Sequence, residues 1–273
     1  FYIIRRIHAA VQRIAMKIAY DGEAFHGQAR QPGLRTVEGE TIHALVRTGA
    51  IRDARSARFQ SASRTDRGVS ALGNVVAFDS QRTPTAAVRS FNAKSGGVWA
   101  WAAASVPDDF SARGARERWY RYLLPAGHDV ATLDTALRTF EGEHDFRNFT
   151  RDRVRTSARI DIARAKADGG GTVLDFKAPS FRWNLVRRLV AAALRVEAGA
   201  VRVSDLKEAL ERPPRRDFGL APAEPLTLMD VSYDIPILRV TDPTTEARLR
   251  RLQVERVRGA NLMEKIVEKF GRS

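Results

Sequence analysis

The order in which strand-like and helix-like segments follow one another constrains this chain most, because the same order runs through it twice. Arg13 to Tyr20 alternates apolar residues at Ile14, Met16, Ile18 and Tyr20, the pattern of a strand with one buried face. Thr36 is placed to cap a helix on which Val37, Thr41, Ile42, Leu45 and Val46 keep helical spacing. Strand-like runs follow at 56–63 and 74–80. Thr83-Pro84 then opens a second helix carrying Val88 and Phe91, and Val98 to Val106 is another strand. After Pro107-Asp108-Asp109 the order restarts with a strand from Arg118 to Pro125. A helix with Val130, Leu133, Leu137 and Phe140 comes next, with Gly142 placed to terminate it. Two strands surround the hairpin signal Asp168-Gly169-Gly170-Gly171. A long helix from about Arg182 to Ala198 stops at Gly199, a short one covers Ser204 to Glu211, and Leu226 to Tyr233 is the last strand.

Each run therefore reads strand, helix, strand, strand, helix, strand, the split βαβ arrangement of ferredoxin-like units. The alternative is chance agreement of a common pattern, but six elements matching in order, twice, favour two related units. The predicted fold is α+β: two βαββαβ halves whose antiparallel sheets flank a central basic cleft. The expected division is an N-terminal extension at 1–12, halves at 13–106 and 107–238, and a charged helical tail at 239–273. On that tail Leu252, Leu262, Ile266 and Phe270 predict docking onto the body or a partner.

The charge says what such a cleft would hold. Forty-six Lys and Arg against 32 Asp and Glu give a formal charge of +14 and a pI near 10.8, a field that draws polyanions. Residues 241–273 carry eight basic and five acidic side chains, so most of the excess lies on the body. Nucleic acid is the leading partner class, ahead of an acidic membrane surface and of charge kept for solubility. The absence of cysteine excludes disulfides, thiolate metal sites and cysteine nucleophiles. No stretch approaches the roughly 18 apolar residues of a membrane span, so the expectation is a soluble, cytoplasmic, untargeted protein.

Candidate chemistry concentrates in the loop Ser61-Ala62-Ser63-Arg64-Thr65-Asp66-Arg67-Gly68-Val69-Ser70-Ala71-Leu72-Gly73. It sets an acid between two arginines among small residues that allow close ligand approach. On these residues alone, Asp66 is equally a reactive carboxylate or the acid of an Asp-Arg-Gly turn bridging locally to its neighbours. Arg187 lies on the edge of a helical stripe formed by Trp183, Val186, Val190, Ala193 and Leu194, while Arg188 points away. An arginine there either pairs with a buried acid or snorkels to solvent. Tyr120 belongs to the alternating basic and aromatic run Arg118-Trp119-Tyr120-Arg121-Tyr122. Base stacking and core packing are both open to it, with Tyr122 as competitor. His144 beside Asp145 lacks a second ligand at a useful spacing, so no metal is expected. The Gly169 to Gly171 run has no Lys-Ser/Thr after it and reads as a turn rather than a phosphate loop.

Five ordered segments carry a family resemblance: Tyr20-Asp21-Gly22-Glu23-Ala24-Phe25-His26-Gly27 with Thr36-Val37-Glu38-Gly39; Arg64-Thr65-Asp66-Arg67-Gly68-Val69-Ser70-Ala71; Phe110-Ser111-Ala112-Arg113 through Arg118-Trp119-Tyr120-Arg121-Tyr122; Phe140-Glu141-Gly142-Glu143-His144-Asp145-Phe146; and Ser180-Phe181-Arg182-Trp183-Asn184-Leu185-Val186-Arg187. Over roughly 13–234 they resemble the tRNA pseudouridine synthase A family. Ser70 stands where the family often has His and Arg67 where it often has Ala, a form that looks archaeal. Ala221-Pro222-Ala223-Glu224-Pro225-Leu226 departs from the family by lacking a Gly before the matching Leu.

The resemblance implies a pseudouridine synthase fold, a homodimer, no metal or organic cofactor, and a uridine on the 3′ side of the tRNA anticodon stem-loop as substrate. It implies Asp66 as the catalytic carboxylate, Tyr120 as a substrate contact and Arg187 as the partner of Asp66. Arg64 would hold phosphate or fill the gap left by a flipped base. The reaction breaks the C1′–N1 bond of uridine, turns the base and rejoins it through C5, so no cofactor is required. Reaching a base inside folded RNA means flipping it out, at a cost of a few kcal/mol. Asp66 would act by attacking covalently or by removing a sugar proton, and both routes fit the sequence. Two readings from other classes compete: a non-catalytic RNA-binding protein, and a metal-dependent nuclease, for which no carboxylate cluster can be assembled.

Overall fold

The computed structural model describes residues 10–211 and 216–270, so most of the expected extension at 1–12 lies outside the described residues. The first run of elements is β1 (Gln12–Tyr20), α1 (Val37–Arg47), β2 (Gln60–Ser61), β3 (Ser70–Ser80), α2 (Pro84–Lys94) and β4 (Val98–Val106). Both helices start where local chemistry places them. The Thr36 hydroxyl accepts from Gly39 N–H, and the Thr83 hydroxyl accepts from Ala86 N–H with Pro84 in the first turn. Strand β1 lies between β4 and β3, antiparallel to both, and β2 pairs with β3.

Two expectations in this run are corrected. The strand expected over 56–63 shrinks to two residues, because Asp53 accepts from the backbone and hydroxyl of Ser56 at 2.8 and 2.7 Å and holds a turn. Arg58 leaves that turn with φ of 45°. Strand β1 also buries both faces, not one: Ala15 is buried, and so are Arg13 and Lys17. Arg13 is matched by Asp79 at 2.8 Å and by the Phe110 carbonyl at 2.8 Å, while Lys17 pairs with Asp230.

The second run is β5 (Glu117–Leu124), α3 (Val130–Arg138), β6 (Gly142–Asp145), β7 (Ser157–Ile160), β8 (Ile162–Asp168), β9 (Gly171–Ala178), α4 (Leu185–Glu197), α5 (Val203–Glu211) and β10 (Leu226–Ser232). Across its sheet the order is β10-β5-β9-β8. Numbered among the four strands of this sheet, with the separate β6–β7 ribbon left out, that is fourth, first, third, second, the same as β4-β1-β3-β2 in the first run. The expected α+β fold of two ferredoxin-like βαββαβ units is present. Their sheets meet where β10 runs parallel to β3, Thr227 opposite Ser70 and Leu228 opposite Ala71. A two-residue strand β11 (Leu238–Arg239) extends the far edge beside β4.

Gly142 does not stop α3. The helix ends at Arg138, and Gly142, with φ of 101°, opens the small β6–β7 ribbon that periodicity did not indicate. Gly169 and Gly170 do make the β8–β9 turn, both with positive φ. Helix α4 starts at Leu185, three residues later than expected, so Trp183 is not part of its buried stripe; it is 54% exposed. Arg188, expected to point away from that stripe, pairs with Asp217 at 3.0 Å.

The tail is a single helix, α6 (Pro243–Phe270), tied down near its start. Asp242 accepts from Asn92 at 3.0 Å, Arg248 donates to the Asn92 carbonyl at 3.0 Å, and Arg256 pairs with Asp21 at 3.0 Å. Of the apolar residues expected to dock onto the body or a partner, Leu262 is 60% and Phe270 84% exposed, so they are not covered by the body and the partner alternative stays open. Polar anchoring, not apolar packing, holds this helix.

Candidate active site

The Asp66 loop leaves β2 and enters β3, and the segment after β1 cradles it. Gly22 lies so close beneath it that an added Cβ would stand 2.4 Å from the carbonyl carbon of Val69. Gly22 N–H donates to the Ser70 hydroxyl at 3.0 Å, and Gln28 N–H donates to the Thr65 carbonyl at 3.0 Å. Val69 N–H closes a turn onto the Asp66 carbonyl at 3.2 Å. The run Tyr20 to Gly27 thus forms the seat of the loop, and the close approach explains a glycine at 22.

Beneath the seat is a buried polar network. The hydroxyls of Tyr20 and Thr65 lie 2.9 Å apart, and Asn74 bonds the Tyr20 hydroxyl, the Ser63 carbonyl and the Ser63 N–H. Burial pushes the Tyr20 hydroxyl up to about 12, so it stays protonated at ordinary pH. Arg118, also buried, donates to the Ser63 hydroxyl at 3.0 Å and to the carbonyls of Ala62 at 2.9 Å, Arg113 at 3.0 Å and Pro179. Among the described residues no carboxylate pairs with it, and burial moves its pKa down from the usual value. It ties the strand before Asp66 to β5 and to the approach of α4. Sequence reasoning treated Arg118 only as part of a basic run; its central place depends on contacts from three segments, Ala62–Ser63, Arg113 and Pro179.

Asp66 does not bridge to Arg64 or Arg67. Arg187 Nη1 donates to Asp66 Oδ2 at 3.0 Å, and Asn184 Nδ2 donates to the same oxygen. No described residue hydrogen-bonds Oδ1, and about a third of the Asp66 side chain is open to solvent, against 15% of Arg187. Arg187 is held from behind as its Nε donates to the Ala221 carbonyl at 2.8 Å. Asn184 was missed. It sits at φ of 60°, a left-handed conformation that asparagine tolerates better than most residues, and makes no side-chain cap to α4. The one sequence signal was its spacing, three residues before Arg187 and so on the same helical face.

Tyr120 reaches the same region on β5, with only 8% of its surface exposed and its ring edge-on to Phe181 at 5.2 Å. Burial foremost, with Tyr20 beside it, raises its hydroxyl pKa. Tyr122 is the more enclosed of the two. Arg64 is exposed and bonds no described residue. Beside the Arg187 face a cavity of about 550 Å³ is lined by Glu23, Arg67, Gly68, Arg187, Pro222, Ala223 and Glu224. His144, by contrast, lies against the Glu141 carbonyl at 2.8 Å, and Asp145 pairs with Arg147. Both are engaged away from this cleft.

A family model described as tRNA pseudouridine synthase matches residues 136–234. A tRNA pseudouridine synthase A of Thermococcus sibiricus is 41% identical over 229 residues, covering 81% of this chain and 85% of its own. That of Methanococcoides burtonii is 42% identical over 87% of this chain and 89% of its own, and that of Methanosarcina barkeri 38% over 94% and 98%. The chain belongs to the tRNA pseudouridine synthase A family. These curated tRNA pseudouridine synthase A relatives are archaeal, in keeping with the Arg64 to Ala71 form of the loop. A solved Cbf5-Nop10-Gar1 complex also matches, at TM-score 0.33 and 12% identity over 65% of this chain and 44% of that one, a likeness too slight to bear on the site.

Proposed function

We propose that this protein isomerises uridine to pseudouridine in tRNA, with Asp66 as the catalytic carboxylate. One observation carries the reading: two donors from the start of α4 converge on Asp66 Oδ2 and leave Oδ1 unbonded by any described residue. A carboxylate held in this way is oriented through one oxygen while the other is left to meet the substrate. Oδ1 would attack the nucleoside or take a proton from its sugar as C1′–N1 breaks. After the base turns, C1′–C5 forms as the bond to Oδ1 breaks or the sugar proton is returned, the C5 hydrogen leaves as a proton and N1 gains one, so Asp66 is regenerated and the product is an isomer. Arg187 serves as the charge partner of Asp66. Tyr120, neutral and beside Phe181, floors the space for the flipped uracil, and Arg64 meets phosphate or occupies the vacated stack.

The target uridine is taken to lie on the 3′ side of the anticodon stem-loop, the protein to act in the cytoplasm, and 13–106 and 107–238 to be its paired halves, with 239–273 an appended tail. No helix among the described residues is long and apolar enough to cross a membrane. A homodimer is supported by the exposed apolar residues of α6, which a second copy would cover.

Mapping pseudouridine on tRNA incubated with the protein tests the activity. Product is expected at anticodon-stem uridines with a chelator present; a need for divalent ions, or strand cleavage instead, would overturn the reading. Affinity for tRNA should fall steeply between low and moderate salt, each phosphate contact on a single strand adding about 0.7 to the logarithmic slope. A flat salt dependence would argue against a basic cleft.

A further inference from the structure

We infer that Trp183 and Arg151 form a stacking platform for an unpaired nucleobase of the substrate RNA, beside the uridine that meets Asp66. This rests on the tRNA-modifying reading of the site and adds a binding subsite to it. Trp183 is 54% exposed, unusual for the largest apolar side chain. Its exposure does not come from a loose loop. Trp183 N–H donates to Asp152 at 3.2 Å, and its carbonyl accepts from the Thr150 hydroxyl and Arg151 N–H, both at 3.1 Å. The ring is therefore presented on a backbone fixed by three hydrogen bonds.

The Arg151 guanidinium lies over that ring, 4.7 Å from its centre. A cation on one face of a half-exposed indole leaves a preformed π surface beside a positive charge, the combination that holds single-stranded bases. Trp101 and Trp119 donate their indole N–H to the Leu72 carbonyl at 2.7 Å and to Asp175 at 2.8 Å, whereas that of Trp183 reaches no described acceptor. Exposed Arg153 and Arg155 stand in the same loop as Arg151, and no described carboxylate pairs with either. They supply phosphate contacts around the ring. Position completes the case, because the next residue, Asn184, bonds Asp66. A base on Trp183 would neighbour the nucleotide whose uracil reaches the carboxylate.

The test compares Trp183→Ala, Trp183→Leu and Trp183→Phe in the full chain. More than half of Trp183 is open to solvent, so all three should melt close to the parent. Trp183→Ala and Trp183→Leu should weaken tRNA binding and raise KM about tenfold, within the range for one base–aromatic stack, with kcat little changed. Trp183→Phe should retain most of the affinity but lose much of the tryptophan quenching that tRNA produces in the parent. Unchanged KM in Trp183→Ala would overturn the platform. So would rescue by Leu equal to that by Phe, which marks a plain apolar contact, or a change of oligomeric state with RNA affinity intact, which gives the face to a second copy. The same binding series on the Asp66→Asn protein separates the two claims. If the parent forms no pseudouridine yet its tRNA affinity still depends on an aromatic ring at 183, the activity reading falls and the platform stands.

Discussion

Asp66→Asn is expected to reduce pseudouridine formation below detection while tRNA affinity stays within a few-fold, because affinity comes mainly from dispersed phosphate contacts. The substitution keeps the size of the side chain and removes its charge and its nucleophile. Asn184 and Arg187 could still donate to the amide oxygen in place of Oδ2, so the loop should keep its seat on Gly22 and Gln28. If Asp66 were only a structural partner, stability and binding would fall together and activity would track the unfolded fraction. Melting temperature, tRNA affinity and product yield on one preparation separate these outcomes. Turnover in a folded, tRNA-binding Asp66→Asn protein would sink the mechanism.

Arg187→Leu comes next in expected effect and should damage both turnover and stability. It strands Asp66 with Asn184 alone and releases the Ala221 carbonyl, which anchors the segment lining the neighbouring cavity. Removing one partner of a fully buried pair costs about 3 to 5 kcal/mol. With a third of the Asp66 side chain solvated, about 1 to 3 kcal/mol is the reasonable scale here. Turnover should drop by about a hundredfold, as when one preorganised contact is lost from an active site. Arg187→Lys should recover part of each, since a point charge restores attraction but not donation to both Asp66 and Ala221. Full activity in Arg187→Leu would remove this arginine from the site.

The geometry narrows the alternatives that residue types alone left open. A turn bridging Asp66 to its neighbouring arginines was as reasonable as a reactive acid, but the acid's partners come from residues 118 and 121 positions away in sequence.

What could be read from the sequence was local. Helix and strand starts at Val37, Pro84 and Val98, and a first strand expected from Arg13 and found from Gln12, followed from alternation and from hydroxyl caps, interactions closed within a few residues. The twofold repeat of elements, the charge and the Asp66 loop were legible in the sequence, whereas the place of Arg187 on a helix edge left pairing and snorkelling both open, and only the family resemblance implied Asp66 as its partner. What only the tertiary structure decided was where long-range partners meet. The β3–β10 junction rests on two residue pairs from opposite ends of the chain, and a carboxylate at 53 shortened a strand that periodicity extended. Arg118 became a buried hub, and Asn184 became a ligand of Asp66, through contacts between segments with no sequence proximity. Periodicity reports which face of an element avoids water. It carries no information about which distant polar group will complete a hydrogen bond, and in this protein those bonds orient the carboxylate.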